Sequence, residues 1–243
     1  MEYNNYPPQY REQISAQEAY ALENRVSAVM KNVYLRMTLG LIVTALTALF
    51  CYQTPAVMNF YVAHPWMKIV LVGAELLLVI GISGAINKLS STAATALFYL
   101  FAIVNGLMLF PIFMAYTGTS IAKTFFITAG VFGAMTVYGY CTSRDLTRMG
   151  SFLIMALFGL IIVSVVNIFM HSSTLDWIIS GAGVLIFIGL TAWDTQQIKQ
   201  MALTYPADST GKLATMGALS LYLDFINLFL YLLRFFGSSR DKA

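Results

Sequence analysis

The chain has 243 residues, of which 58% are hydrophobic and only 10% charged, with a formal net charge of +3. Soluble domains average about 45–50% apolar and about 25% charged residues, so this composition excludes a water-facing surface of ordinary area and makes lipid the natural solvent. The basic residues are scattered in ones and twos rather than gathered on one stripe, which excludes a nucleic-acid partner.

In chain order, residues 1–30 come first as a polar tail of mixed sign. They lack the apolar h-region and small-residue cleavage site of a signal peptide, and Glu2, Glu12, Glu18 and Glu23 argue against a transit peptide. The tail is expected to be retained, with Tyr6-Pro7-Pro8 disordered and Ser15–Met30 able to form a helix leading into the membrane.

A bilayer core of ~30 Å needs about 20 mostly apolar residues in a helix. Seven stretches meet that requirement: Val33–Tyr52, Met67–Ile86, Thr92–Tyr116, Ile121–Tyr140, Ser151–Met170, Leu175–Trp193 and Leu213–Phe236. The link Asn87-Lys88-Leu89-Ser90-Ser91 is short enough to force an antiparallel hairpin. Residues 31–236 therefore read as one transmembrane domain, followed by a short tail at 237–243. Open sheet edges cannot exist in hydrocarbon and no ten-residue alternation occurs, so a β-barrel is excluded and the fold class is all-α membrane protein.

Arg11, Arg25, Lys31 and Arg36 precede or open the first span, and Lys88, Arg144, Arg148, Lys199 and Lys212 flank alternate connections on that same side. The positive-inside rule then puts the N-terminus in the cytoplasm. Arg234, Arg240 and Lys242 disagree, because seven spans send the C-terminus outside. A re-entrant last segment would remove the conflict; seven spans are the preferred reading.

Gly81 and Gly84, Gly130 and Gly133, and Gly181-Ala182-Gly183 are expected to allow close backbone approach between helices. Pro111 should kink the third span. Cys51 and Cys141 fall near opposite faces of the membrane, so no disulfide joins them, and both read as packing residues.

Three carboxylates fall within the apolar stretches: Glu75, Asp194 and Asp224. Insertion scales put a central Asp at about +2.5 to +3.5 kcal/mol, so such groups tend to mark ion pathways or proton relays. Asp194 reads as the end of the sixth helix, while Asp224 lies eleven residues into the seventh, roughly 16 Å along its axis. The two meet only if the first turns of the seventh helix are interfacial or the sixth dips inward. If they do meet in a low dielectric they cannot both ionise cheaply, and they titrate as a coupled pair sensitive to pH or to a cation. Otherwise Asp194 is a helix-end carboxylate paired with Lys199 or Lys88. Glu75 either lines an ion path or bonds to a neighbouring helix. Lys88, at the end of the second span, either bridges to the acids or snorkels to the headgroups. No metal-ligand spacing occurs, a metal remains unassigned, and no cofactor is expected.

The string Ala218-Leu219-Ser220-Leu221-Tyr222-Leu223-Asp224-Phe225-Ile226-Asn227-Leu228-Phe229, with Leu232-Leu233-Arg234-Phe235-Phe236-Gly237, closely resembles the last helix of the transmembrane Bax inhibitor family. Asp194 followed by Gln196, Gln197, Ile198 and Lys199, and Leu109-Phe110-Pro111-Ile112, resemble its bacterial members. The resemblance implies two triple-helix layers wrapped around a central C-terminal helix. It also implies pH-dependent calcium leak, with Asp194 and Asp224 as the pH-sensing pair. The basic residue that latches to that pair in bacterial relatives falls on Lys88, where a relative carries Arg; a Lys cannot make the planar two-pronged contact.

The function expected is therefore a pH-sensitive, calcium-permeable cation leak channel in a bacterial cytoplasmic (inner) membrane, gated by the aspartate pair, with the lipid bilayer and calcium or proton as partners. Two alternatives stand beside it: a membrane-embedded regulator that acts by binding other membrane proteins, and a proton-coupled transporter. No enzymatic activity is expected, since the Gly-x-Gly-Asp and Pro-Ala-Leu motifs of intramembrane aspartyl proteases are missing around Asp224.

Overall fold

A computed structural model describes residues 16–206 and 209–238. The expected disorder at Tyr6-Pro7-Pro8 lies outside the described residues. Within them the chain is helical: α1 (Ala16–Gln53), α2 (Pro55–Ala63), α3 (Met67–Ala85), α4 (Ser91–Leu109), α5 (Ile112–Ala115), α6 (Gly118–Cys141), α7 (Thr147–Met170), α8 (Ser173–Thr204) and α9 (Thr210–Phe236). Seven of these are long and apolar enough to cross a membrane.

Local chemistry sets the breaks between them. Ser90, Thr117 and Ser172 each accept a backbone N–H from the first turn of α4, α6 and α8, the side-chain capping that helix N-termini require. The α7–α8 corner turns on His171 in the left-handed region (φ 51°), while Asn167 Oδ1 accepts the Ser172 N–H at 3.1 Å. At the start of α7 the Thr147 side chain and N–H bond to Asp145 and hold its carboxyl below the usual carboxylate range.

The helix expected ahead of the first span is present: α1 runs unbroken from Ala16 into it and buries Val26, Val29 and Met30. Two boundaries differ from the sequence reading, each for a physical reason. Pro111 interrupts the third span rather than only kinking it: α4 stops at Leu109 and a short α5 restarts after the proline, which has no N–H for a continuing helix. The sixth span does not end at Trp193; α8 continues to Thr204. The polar Asp194-Thr195-Gln196 stretch looks like a helix end only because a sequence does not reveal that its polar groups are covered.

α9 is the most enclosed span. It packs against α1, α4, α6 and α8, while α3 packs on α4 and α7 on α8. It is unbroken from Thr210 to Phe236, so it is not re-entrant. Its two ends lie at opposite ends of the bundle. At one, Arg25 donates to Pro206 O at 2.9 Å and Lys212 to Asn87 O at 3.1 Å. At the other, the Ser238 N–H donates to Ser120 Oγ at 2.9 Å.

Of the glycines expected to admit a neighbouring helix, Gly183 does so closely and the others do not. Gly81, Gly84, Gly130 and Gly133 have nothing within 4 Å of where a Cβ would stand. Two glycines lie close under the backbone of another helix: Gly106, under Thr44 O on α1, and Gly139, under the Ala192 carbonyl on α8. Of the triplet at 181–183, Gly183 is tight, with Tyr231 at 2.7 Å. Spacing alone names glycines that could admit a neighbour; only the packing says which face has one.

Cys51 is buried and Cys141 exposed, both with free thiols. A maleimide is therefore expected to label one thiol per folded chain, at Cys141, and two after denaturation. Intact-mass measurement checks this.

Candidate functional site

The two aspartates come together through the length and register of the last two helices. α8 runs ten residues past Asp194, and α9 begins fourteen residues before Asp224. At ~1.5 Å per residue both acids sit ~15–21 Å from the connection that joins the helices, deep in the bundle. The antiparallel register is pinned on either side of them. A Cβ at Gly217 would lie 3.0 Å from Ile198 Cδ1, and one at Gly183 would lie 2.7 Å from the Tyr231 ring. Asp194 then faces Asp224, and the two carboxyls are within hydrogen-bonding contact.

The surroundings give this pair little else to bond. Asp224 is 4% exposed. Its Oδ2 is buried and meets no N–H or O–H donor. Thr191 and Thr195, three residues before and one after Asp194 on the same helix, turn their hydroxyls onto their own backbone, at Phe187 O and Thr191 O, both 2.7 Å. Asn227 does the same at Leu223 O, 2.8 Å. On the α6 side, Phe132 packs edge-on against Phe225 with ring centroids 5.4 Å apart. α6 is drawn onto α8 where Gly139 meets Ala192, two residues from Asp194.

No basic residue proposed from sequence reaches the pair. Lys88 is exposed in the α3–α4 turn, and the groups acting on the two aspartates are each other. Lys199 instead donates to Tyr140 O at 2.9 Å, with its ammonium 4.9 Å from the centre of that ring. Arg36, which the sequence reading used only for orientation, crosses to α9 and donates to Gly211 O at 2.6 Å and to Thr215 Oγ1. Lys88 and Lys199 sit near the acids in a linear reading because the hairpin ends share a level. The continuation of α8 moves Asp194 more than two turns deeper.

Glu75 takes the second of its two sequence readings, a bond to a neighbouring helix. Asn105 on α4 donates from Nδ2 to Glu75 Oε1 at 2.8 Å and accepts from the Tyr222 hydroxyl at 3.0 Å. Asn105, Tyr222 and Thr44 were not singled out from sequence. Asn105 is a polar residue within an apolar span, and that signal was available.

Among the described residues, no group of three or more His, Cys, Asp or Glu could hold a metal ion. A divalent cation at the aspartates would have two carboxyls as anionic ligands and would need water or carbonyl oxygens for the rest.

The family described as inhibitor of apoptosis-promoting Bax1 matches residues 26–241. The chain is 47% identical over 214 residues to the inner membrane protein YbhL of Escherichia coli strain K12, covering 87% of this chain and 92% of that one. An uncharacterized protein of Borreliella burgdorferi is 46% identical over 228 residues, covering 90% of this chain and 97% of the other. An uncharacterized membrane protein of Streptococcus pyogenes serotype M3 is 41% identical over 163 residues, covering 67% and 71%.

Proposed function

We propose, from the premise that this chain is an integral membrane protein belonging to the family of inhibitors of apoptosis-promoting Bax1, that it is a pH-sensitive, calcium-permeable cation leak channel gated by Asp194 and Asp224. The observation that carries this reading is the carboxyl–carboxyl contact between α8 and α9, deep in the bundle and with no donor on Asp224 Oδ2.

A hydrogen bond between two carboxyls needs a proton on one of them. With that proton in place the bond ties α8 to α9, and the pathway is closed. With the proton removed, two negative charges stand in contact. At ~4 Å and an effective dielectric of ~20 their repulsion is about 4 kcal/mol. Separating the helices, admitting water or binding a divalent cation each relieves it. Flux is therefore expected to rise with pH, and calcium to compete with the proton for the pair, because it binds only the deprotonated carboxylates.

Calcium flux into proteoliposomes, followed across pH for the parent, Asp194→Asn and Asp224→Asn, tests the proposal. Lys88 supplies a contrasting variant. Because its side chain is exposed and apart from the pair, Lys88→Ala is expected to keep the parent's flux–pH curve within about 0.3 pH units, a difference under about 0.5 kcal/mol. A larger displacement would return Lys88 to the gate. Arg25, Lys31 and Arg36 towards the start of α1, Lys88 and Arg144 in the connections at 86–90 and 142–146, and Lys212 in the first turn of α9 support a cytoplasmic N-terminus in a bacterial inner membrane.

A further inference from the structure

Tyr222 and Asp224 are two residues apart on α9, and two residues turn a helix by ~200°, so they face opposite sides of it. On the side away from the aspartates a second polar chain crosses four helices. Thr44 Oγ1 on α1 lies 2.5 Å from the Tyr222 hydroxyl, Tyr222 donates to Asn105 Oδ1 at 3.0 Å, and Asn105 Nδ2 donates to Glu75 Oε1 at 2.8 Å. The chain is covered: Thr44 is 3%, Asn105 7% and Tyr222 0% exposed. Glu75 itself lies on the stripe of α3 that faces inward with Leu78, Val79 and Ile82.

The groups facing Glu75 decide what it can do. α4 presents the neutral Asn105, behind which stand the phenol of Tyr222 on α9 and, bonded to that phenol, the hydroxyl of Thr44 on α1. The basic residues of its own hairpin are occupied elsewhere: Lys68 sits 5.7 Å from the Tyr61 ring centre and Lys88 is exposed in the turn. An anion at this place has one amide donor and no counter-ion, an expensive arrangement inside a membrane. A neutral carboxyl keeps the same Asn105 bond without that penalty.

We propose that Glu75 is a second proton-binding site of the bundle, independent of the aspartate pair, and that its charge state is passed to α9 through Asn105 and Tyr222. α3 packs chiefly on α4 and presents Ile69, Leu76, Leu77 and Ile80 outward, so it is free to shift when an anion at Glu75 draws water. That shift breaks the Asn105 bond. Tyr222 has one hydroxyl proton to share between Asn105 and Thr44, so the orientation of Asn105 selects its acceptor. A change on a peripheral helix thus reaches the helix that carries Asp224.

The test is pH-difference infrared spectroscopy of the full chain in lipid nanodiscs. A titrating carboxylic C=O band is expected in the parent, lost in Glu75→Gln, and kept with the same midpoint in the Asp194→Asn/Asp224→Asn double variant. A tyrosine ring mode should titrate alongside it and vanish in both Tyr222→Phe and Asn105→Leu, while Asn105→Leu keeps a shifted carboxyl band. A Glu75→Gln spectrum identical to the parent's overturns the site. A midpoint that moves in the double variant overturns its independence, and a tyrosine mode unchanged by Asn105→Leu overturns the transmission. Failure of the flux experiment would leave all three signals intact, so the two proposals fall separately.

Discussion

Asp224→Asn is expected to flatten the pH dependence of calcium flux and to stabilise the closed bundle at high pH. The asparagine amide donates to Asp194 whatever the pH, so the bond between α8 and α9 no longer needs a proton. The repulsion that opens the parent, about 4 kcal/mol before water enters, cannot arise with a single charge. Even if water entry leaves only about 1.4 kcal/mol, the parent's flux varies by about tenfold across its transition, whereas the variant should vary by less than about twofold. A hydrogen bond to a charged group is worth about 1.5–3 kcal/mol, so thermal unfolding in detergent at high pH should move upward in the variant. Asp194→Asn should behave alike in flux, since either acid can be the partner that loses its charge. If both variants keep the parent's flux–pH curve, the aspartates do not gate the pathway.

The second large effect concerns the backbone that seats this pair. A single Cβ added at Gly139 runs into the Ala192 carbonyl, and backbone on both sides leaves nothing flexible to yield. Gly139→Ala should lower stability by about 1–3 kcal/mol, the range of an overpacked core, even though alanine is the better helix former by ~1 kcal/mol. Gly159, on α7, has nothing within 4 Å of its Cβ position. There the same substitution should leave stability equal or raise it, by no more than about 1 kcal/mol. One mutation thus has opposite signs at two helical glycines, and thermal melts of the two variants check it. Because Ala192 is two residues from Asp194, Gly139→Ala should also displace the flux–pH curve, while Gly159→Ala leaves it in place.

The number of spans was legible in the sequence because lipid requires long apolar runs and allows few exceptions. Seven stretches over residues 31–236 could be read by length alone, and the rarity of Glu75 and Asp224 in their surroundings by composition; at Pro111 a kink could be read, but not the full interruption between α4 and α5. The family resemblance was readable too, in the strings around Asp194 and Asp224, and the match over residues 26–241 establishes it.

Depth and partnership were not legible. Asp194 looked like a helix end because polar residues follow it, yet those residues are covered and α8 runs to Thr204. That continuation, with the register held at Gly217 and Gly183, brings Asp194 to Asp224 and leaves Lys88 out. The bond from Glu75 to Asn105, and on to Tyr222, joins residues thirty and 117 apart in the chain. Composition counts the polar groups a membrane must hide. Which of them hide together depends on helix length, rotation and register, and those are settled only when the faces pack.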